Sequence, residues 1–359
     1  MNKGTRVVPV NEAVGLVLAH DITEIRPGAF KGRAFKKGHI VRAQDIEHLQ
    51  RLGKENLFLL EIASDELHEN DAALALANAL TAGRTSGVSF DLEPKEGKIT
   101  LAAEFDGLFK VNKEALLEFN MLGDVMCATL HTNTVVTKGQ TVGGVRAIPL
   151  VVKKEIVDRA AAAVSNRNTG DGRPPLSVLG MRRSKAGVVI TGNEIYTGKI
   201  QDSFVPVVRN KIRQFNGVII GQYFAPDDKD FIAGKLMELA AGGADILITT
   251  GGLSVDPDDV TAAAVRTLPV TDVFYGTAVL PGAMFLIAYM KKHGADDALI
   301  PILCMPACGM YHKITVFDLL LPRVLAGEHI DRRALAEMGH GGLCLNCKDC
   351  RYPVCPFGK

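Results

Sequence analysis

The chain is 359 residues long, with 47% apolar and 23% charged side chains and a formal net charge of +1. That length suits two to three domains at ~150 residues each, and the charge balance argues against a general nucleic-acid binder, which would carry a basic excess. No apolar run reaches the ~18 residues that a membrane helix needs. The opening MNKGTRVVPVNEAV lacks the apolar core of a signal peptide, so the expected location is cytoplasmic.

In chain order, residues 1–62 offer an amphipathic helix at RAQDIEHLQRLG, with Ile46, Leu49 and Leu52 on one face and Gly53 as its stop. The strand LFLLEI follows. Residues 63–164 begin with a helical pattern at NDAALALANALTAG. They continue as short alternating strands (GKITLAA, GLFKVN, TNTVVTKGQTV, VRAIPLVV) and leave through the helix KKEIVDRAAAAV. The polar stretch SNRNTGDGRPP, 165–175, reads as a linker.

Residues 176–330 alternate strand and helix. AGVVIT, GVIIGQYFAP and DILITT are strands. DSFVPVVRNKIRQF, DKDFIAGKLMELAAG and DDVTAAAVRTL are helices. DVFYGTAV, MFLIAYM and IPILCMP add strands, and YHKITVFDLLLPRVLAG is a closing helix over 311–327. Strands that are apolar throughout and separated by helices predict an α/β domain, a parallel sheet with helices on both faces. The whole chain therefore reads as that domain plus a smaller mostly β module, an N-terminal α+β segment and a tail at 331–359.

Ligands of open α/β sheets bind beyond the carboxyl ends of the strands. Three strand ends carry suitable residues. The first is Thr191-Gly192-Asn193-Glu194, with Asp202-Ser203 at the next helix start; the second is Asp227-Asp228; the third is TTGGLSVDPDDVT. Glycines let backbone amides approach an anion, and a helix N-terminus adds partial positive charge. Thr249, Thr250 and Ser254 add hydroxyls, while Asp256, Asp258 and Asp259 would repel an anion unless a divalent cation stood between. A hard cation such as Mg²⁺ suits carboxylates plus phosphate. Taken singly, Asp202, Ser203 and Asp228 read as helix N-caps, and Gly251-Gly252 as a turn. The coincidence of all three strand ends is what favours a metal-bridged phosphorylated ligand.

These three elements, in this order, resemble the molybdopterin-binding domain family over about 186–325. Its members include molybdopterin adenylyltransferases, molybdopterin molybdotransferases and competence/damage-inducible-type proteins. VVPVNEAVGLVLAHDIT, KKGHIVRAQDIEHLQRLG and GGVRAIPLVV further resemble the molybdotransferases. The resemblance implies a molybdopterin phosphate, with Mg²⁺, held by Thr191, Gly192, Glu194, Asp202, Ser203, Thr250, Gly251, Gly252, Ser254, Pro281 and Gly282. Asp259 and Asp228 become the catalytic and magnesium-binding candidates. The implied reaction joins molybdate to adenylylated molybdopterin with loss of AMP.

The chain departs from the molybdotransferase pattern at three places. PGAFKGRAFKKG, with Lys31 and Arg33, stands where an S-x-M-D-G-like stretch supplies an acid. Leu280 replaces a basic residue before Pro281-Gly282, and Met305-Pro306-Ala307-Cys308-Gly309 replaces an L-P-G-N-P-like loop. Cys308 reads as a small apolar filler or, less simply, a soft ligand. A carrier or sensor that delivers cofactor to a molybdoenzyme therefore stands beside the transferase as a second reading, and a nucleotide pyrophosphatase of the competence-damage type as a third. Family members are often oligomeric, which implies a homo-oligomer of unspecified size.

Seven cysteines are present, and the tail GHGGLCLNCKDCRYPVCPFGK holds Cys344, Cys347, Cys350 and Cys355 with spacing C-x2-C-x2-C-x4-C. Four thiols in twelve residues point to metal rather than to disulfides in a cytoplasmic chain. The run approaches the bacterial ferredoxin spacing with one extra residue, and it also suits a zinc knuckle. Zinc and [4Fe–4S] both stay open. His340 is an optional further ligand, although a lone histidine between glycines usually reads as solvated, and Lys348 and Arg351 would offset thiolate charge.

Overall fold

A computed structural model describes residues 5–16, 18–26, 30–60, 62–83, 85–95, 97–165, 172–253, 260–292 and 298–359. The chain divides into two compact units. The first comprises Met1–Phe105, Phe109–Leu130 and Val136–Val178; the second comprises Asp106–Leu108, His131–Val135 and Leu179–Lys359.

The first unit contains two apolar cores. The smaller gathers Val10, Leu18, Ile22, Phe35, Leu49 and Leu57. Around it the antiparallel pairs Thr5–Pro9 with Asn56–Leu60 and Ile22–Arg26 with Phe30–Phe35 close. The expected helix over 42–53 is shorter, a 3-10 turn Ala43–Asp45 running into Ile46–Arg51, and Gly53 ends it at φ +73°. The larger core lies between the helices Glu69–Leu80 and Lys154–Ser165 and a four-stranded antiparallel sheet. That sheet has the order Val88–Phe90, Lys98–Ala103, Thr141–Ala147, Val125–Thr129. Strand Lys98–Ala103 strictly alternates exposed and buried residues up to Leu101, as a sheet with one wet face requires.

The second unit is an α/β domain. Its elements are β1 (Lys185–Thr191), α1 (Phe204–Arg213), β2 (Val218–Ala225), α2 (Lys229–Ala241), β3 (Ile246–Thr250), α3 (Thr261–Thr267), β4 (Val270–Tyr275), β5 (Leu286–Lys291), β6 (Leu299–Met305), α4 (Val316–Leu325) and α5 (Arg332–Glu337). The strand order is β2-β1-β3-β6-β5-β4. β1 pairs in parallel with β2 and β3, and β3 with β6. β5 runs against both its neighbours, so the sheet is mixed. The sequence pattern missed that reversal because Gly276–Phe285 returns the chain without a helix, and a parallel crossover needs one.

Period-two side-chain alternation splits the central strands between two cores. Val188, Ile190, Ile248 and Leu303 pack with Val208 and Ile212 of α1 and Phe317 and Leu320 of α4. Val189, Leu247 and Ile302 pack on the other face with Ile232 and Leu236 of α2 and Val265 of α3. Truncating such a residue, Leu320→Ala for example, costs about 2–5 kcal/mol. The closing helix begins at Val316, five residues later than the pattern suggests. Thr315 and Asp318 form a capping box there, with the Thr315 N–H donating to Asp318 at 2.7 Å.

Candidate functional site

Sheet order alone marks one crevice. From β1 the chain passes outward to β2 and then returns to place β3 on the other side of β1. The helix leaving β1 covers one face and the helix following β3 covers the other. The carboxyl ends of β1 and β3 therefore flank the switch point of the topology, where open α/β sheets bind ligands. Thr191 ends β1, and Thr250-Gly251-Gly252 ends β3.

These residues are in direct contact. The Thr191 hydroxyl donates to the Thr250 carbonyl at 2.9 Å and lies 3.1 Å from the Thr261 hydroxyl at the start of α3. Gly251 and Gly252 both have positive φ, +86° and +57°. A Cβ on Gly251 would stand 2.7 Å from the Thr191 carbonyl oxygen, and one on Gly252 would stand 2.5 Å from the Thr261 hydroxyl. Backbone conformation and close approach thus both demand glycine. The Thr250 hydroxyl is buried and has no hydrogen-bond partner. An orphaned buried hydroxyl costs about 1–3 kcal/mol, so a donor or acceptor brought to it would be favoured.

Other predicted residues sit around this bend. The Gly192 N–H donates to the Ala225 carbonyl at 3.2 Å. The Asn193 N–H donates to the Asp227 carboxylate at 2.9 Å and the Asp227 N–H returns to the Asn193 side chain at 3.2 Å, tying the short helix Asn193–Tyr196 after β1 to the acidic element after β2. Glu194 is exposed. Asp228 caps α2, its Oδ1 accepting from the Phe231 N–H at 2.8 Å. Asp202 accepts from the N–H groups of Phe204 and Val205 at 2.9 and 3.0 Å, while the Ser203 side chain makes no cap bond. Capping is therefore a present role of both aspartates. Ser254, Asp256, Asp258 and Asp259 lie outside the described residues.

The loop after β4 reaches the same end of the sheet. Gly282, at φ +129°, packs where a Cβ would stand 2.4 Å from Val316 Cγ1, and the Val316 N–H donates to the Pro281 carbonyl at 3.2 Å. Leu280 is exposed. Cys308 lies half-buried in the turn Ala307–Met310, where burial raises its thiol pKa. Lys31 and Arg33 occupy the strand Phe30–Phe35 of the first unit, with Arg33 held on Asp21 at 3.0 Å.

Three supporting residues escaped the sequence reading. Thr261 looked like an ordinary helix residue; its signal was a β-branched hydroxyl two residues after the acidic pair. The Tyr275 hydroxyl donates to the Leu253 carbonyl at 2.7 Å. Arg332 donates to the carbonyls of Tyr275 and Gly276 at 2.7 and 2.8 Å. They brace the loop after β3 against the end of β4, through contacts distant in sequence.

In the tail, all four thiols line one cavity of about 330 Å³. Cys344 and Cys355 are half-buried, and Cys347 and Cys350 are exposed. Among the described residues, no three His, Cys, Asp or Glu side chains form a group that could hold a metal ion. No helix among the described residues is long and apolar enough to cross a membrane.

Residues 187–326 match the family described as a probable molybdopterin binding domain. This segment belongs to the molybdopterin-binding domain family. Residues 7–61 match a domain of unknown function. The chain is 34% identical over 82 residues to a CinA-like protein of Mycobacterium sp. (strain MCS), a match covering 23% of this chain and 20% of that protein. It is 36% identical over 83 residues to a CinA-like protein of Mycolicibacterium vanbaalenii, covering 23% and 19%. The match thus spans about a fifth of these curated relatives. The tungsten cofactor synthesizing protein MoaB of Pyrococcus furiosus aligns with a TM-score of 0.32 and 16% identity, over 41% of this chain and 97% of that one. A molybdenum cofactor biosynthesis protein of the same organism aligns with a TM-score of 0.26 and 15% identity, over 93% and 65%.

Proposed function

We propose that the crevice between the ends of β1 and β3 binds the phosphate of a molybdopterin, and that the chain acts as a molybdotransferase-like protein of molybdenum-cofactor biosynthesis. The observation that carries this is the Gly251-Gly252 bend, locked on Thr191 and Thr261 at the switch point of a molybdopterin-binding domain. Backbone amides of Gly251 and Gly252, with the unpartnered Thr250 hydroxyl, hold and orient the phosphate. Thr191 and Thr261 keep the bend open. Gly192, Glu194, Asp202, Ser203, Ser254 and the Pro281-Gly282 loop form the rim. Asp259 and Asp228 hold magnesium, which when bound supplies charge neutralisation at the phosphate. The amide cradle keeps the pterin phosphate fixed while water breaks its anhydride bond to AMP. The four tail thiolates hold a metal, as zinc or as an iron–sulfur cluster.

Calorimetric titration with molybdopterin in Mg²⁺ tests the reading, and an absence of binding ends it. A carrier without turnover is the second reading. It is supported by Lys31 and Arg33 on the strand where the resemblance implies an acid, with Arg33 engaged by Asp21. Mixing adenylylated molybdopterin with molybdate decides between the two: AMP release marks the transferase, and tight binding with no AMP marks the carrier. A nucleotide pyrophosphatase of the competence-damage type is the third reading, and hydrolysis of ADP-ribose would reveal it.

A further inference from the structure

The bend of the crevice and its rim loop are both held from outside, and by the same stretch of chain. The Tyr275 hydroxyl, at the end of β4, donates at 2.7 Å to the carbonyl of Leu253, the residue next to the Gly251-Gly252 bend. Arg332, which opens α5, donates in turn to the Tyr275 and Gly276 carbonyls at 2.7 and 2.8 Å. Further on, the tail runs beside the loop that carries Pro281-Gly282. The Leu280 N–H donates to the Gly342 carbonyl and the Cys344 N–H to the Leu280 carbonyl, both at 2.8 Å, so Leu280 and Leu343 pair as a short parallel bridge. Inside that loop the Thr277 hydroxyl donates to the Gly282 carbonyl at 3.2 Å.

The side chains at these grips stay in solvent. Arg332 is exposed, and so are Leu280 and Leu343, at 56% and 63%. Hydrogen bonds with so little apolar burial around them belong to the part of a fold that opens locally; what they fix is where a backbone lies. Close approach is nevertheless built in. A Cβ on Gly342 would stand 2.6 Å from the Ala278 carbonyl oxygen and 2.5 Å from that of Met338, and one on Gly339 would stand 3.1 Å from the Ala278 Cβ. Only glycine lets the tail lie this near the loop. Arg332 serves two carbonyls at once with a planar fork, which a lysine cannot copy.

We infer that tail residues 332–344 are a clasp that positions the crevice. Arg332 acts through Tyr275 on the bend after β3, and Gly342–Cys344 act through Leu280 on the Pro281-Gly282 loop. Arg332 and Tyr275 are positioning residues in series, because the arginine fixes the backbone that carries the tyrosine ring. The inference rests on the crevice reading above and is independent of what the tail thiols hold.

The test pairs calorimetric titration of molybdopterin in Mg²⁺ with urea unfolding of the same full-chain variants. Tyr275→Phe and Arg332→Met should each weaken binding about fivefold, the worth of one hydrogen bond, while the unfolding midpoint stays near the parent's. Acting in series, the two together should lose about as much as either alone. Arg332→Lys keeps one donor and should recover part of the loss. Arg333→Met, at the neighbouring arginine paired with Glu337, should bind as the parent does. Without ligand, Gly342→Ala should speed hydrogen exchange at the Leu280 amide about tenfold, since the added carbon wedges the bridge open. Parent-like affinity in both Tyr275→Phe and Arg332→Met overturns the clasp and leaves the crevice reading standing. Losses that merely follow falling stability, or that add in the double variant, overturn the positioning role. Unchanged Leu280 exchange in Gly342→Ala overturns the grip on the loop. A parent chain that binds no molybdopterin ends the crevice reading and this inference with it.

Discussion

The crevice at β1 and β3 and the cysteine tail belong to the same unit and are built in opposite ways. The crevice consists of backbone and two short buried hydroxyls, Thr191 at the end of β1 and Thr261 at the start of α3. Its geometry is a by-product of sheet topology, and little there can change without disturbing the sheet. The tail is coil, pinned at Leu280 and Phe357, and its working atoms are side chains around a void. A backbone cradle is thus inseparable from fold stability, whereas a thiol site is separable from it.

That contrast can be broken most forcefully at the glycines. Gly251→Ala and Gly252→Ala place a Cβ in a left-handed conformation and within 2.7 Å of the Thr191 carbonyl or 2.5 Å of the Thr261 hydroxyl. Each should cost about 3 kcal/mol in urea unfolding, while Cys347→Ser in the metal-free chain should fall within about 0.5 kcal/mol of the parent. Equal losses at both places would undo the distinction.

A smaller effect separates cap from ligand at Asp228. Asp228→Ala should lose about 1 kcal/mol of stability with the cap. Asp228→Asn keeps a side-chain oxygen for the Phe231 N–H and should leave stability within a few tenths, yet weaken molybdopterin binding in Mg²⁺ about tenfold. Unchanged affinity would leave the aspartate a cap and nothing more.

Thr261→Val removes the hydroxyl facing Thr191 and should lower stability by about 1 kcal/mol, read as a shifted unfolding midpoint. A gain instead would mean that the Thr191 hydroxyl is satisfied by Thr250 alone.

The mildest test is chemical. Burial pushes the thiol pKa of Cys127 and of Cys304 up to about 12. At pH 8 both stay protonated, since the thiolate forms only as pH approaches that value, and both should resist iodoacetamide. The exposed Cys347 and Cys350 should be alkylated first, as peptide mass mapping of the metal-free chain would show. Early labelling at Cys304 would mean that the sheet core opens more readily than its packing implies.

Much of this architecture was legible because the signals were local. The apolar run ILITT followed by two glycines marks a buried strand and its bend, and the residue types already state the reason. Cysteine spacing marks the tail in the same way. The rest depends on contacts that no short window contains. The antiparallel course of β5 follows from a helix-free return. The brace from Tyr275 to Leu253 joins residues 22 positions apart, and the switch point exists only once the strands are ordered. Asp202 belongs with the local signals: its place at a helix start suggests an N-cap, and its oxygens accept from the N–H groups of Phe204 and Val205.

The most direct test of the crevice is a crystal structure of the chain with molybdopterin and magnesium. The account predicts the pterin phosphate within hydrogen-bonding reach of the Gly251 and Gly252 amides, between the ends of β1 and β3. A ligand seated anywhere else on the molecule, with those amides facing only water, would contradict it.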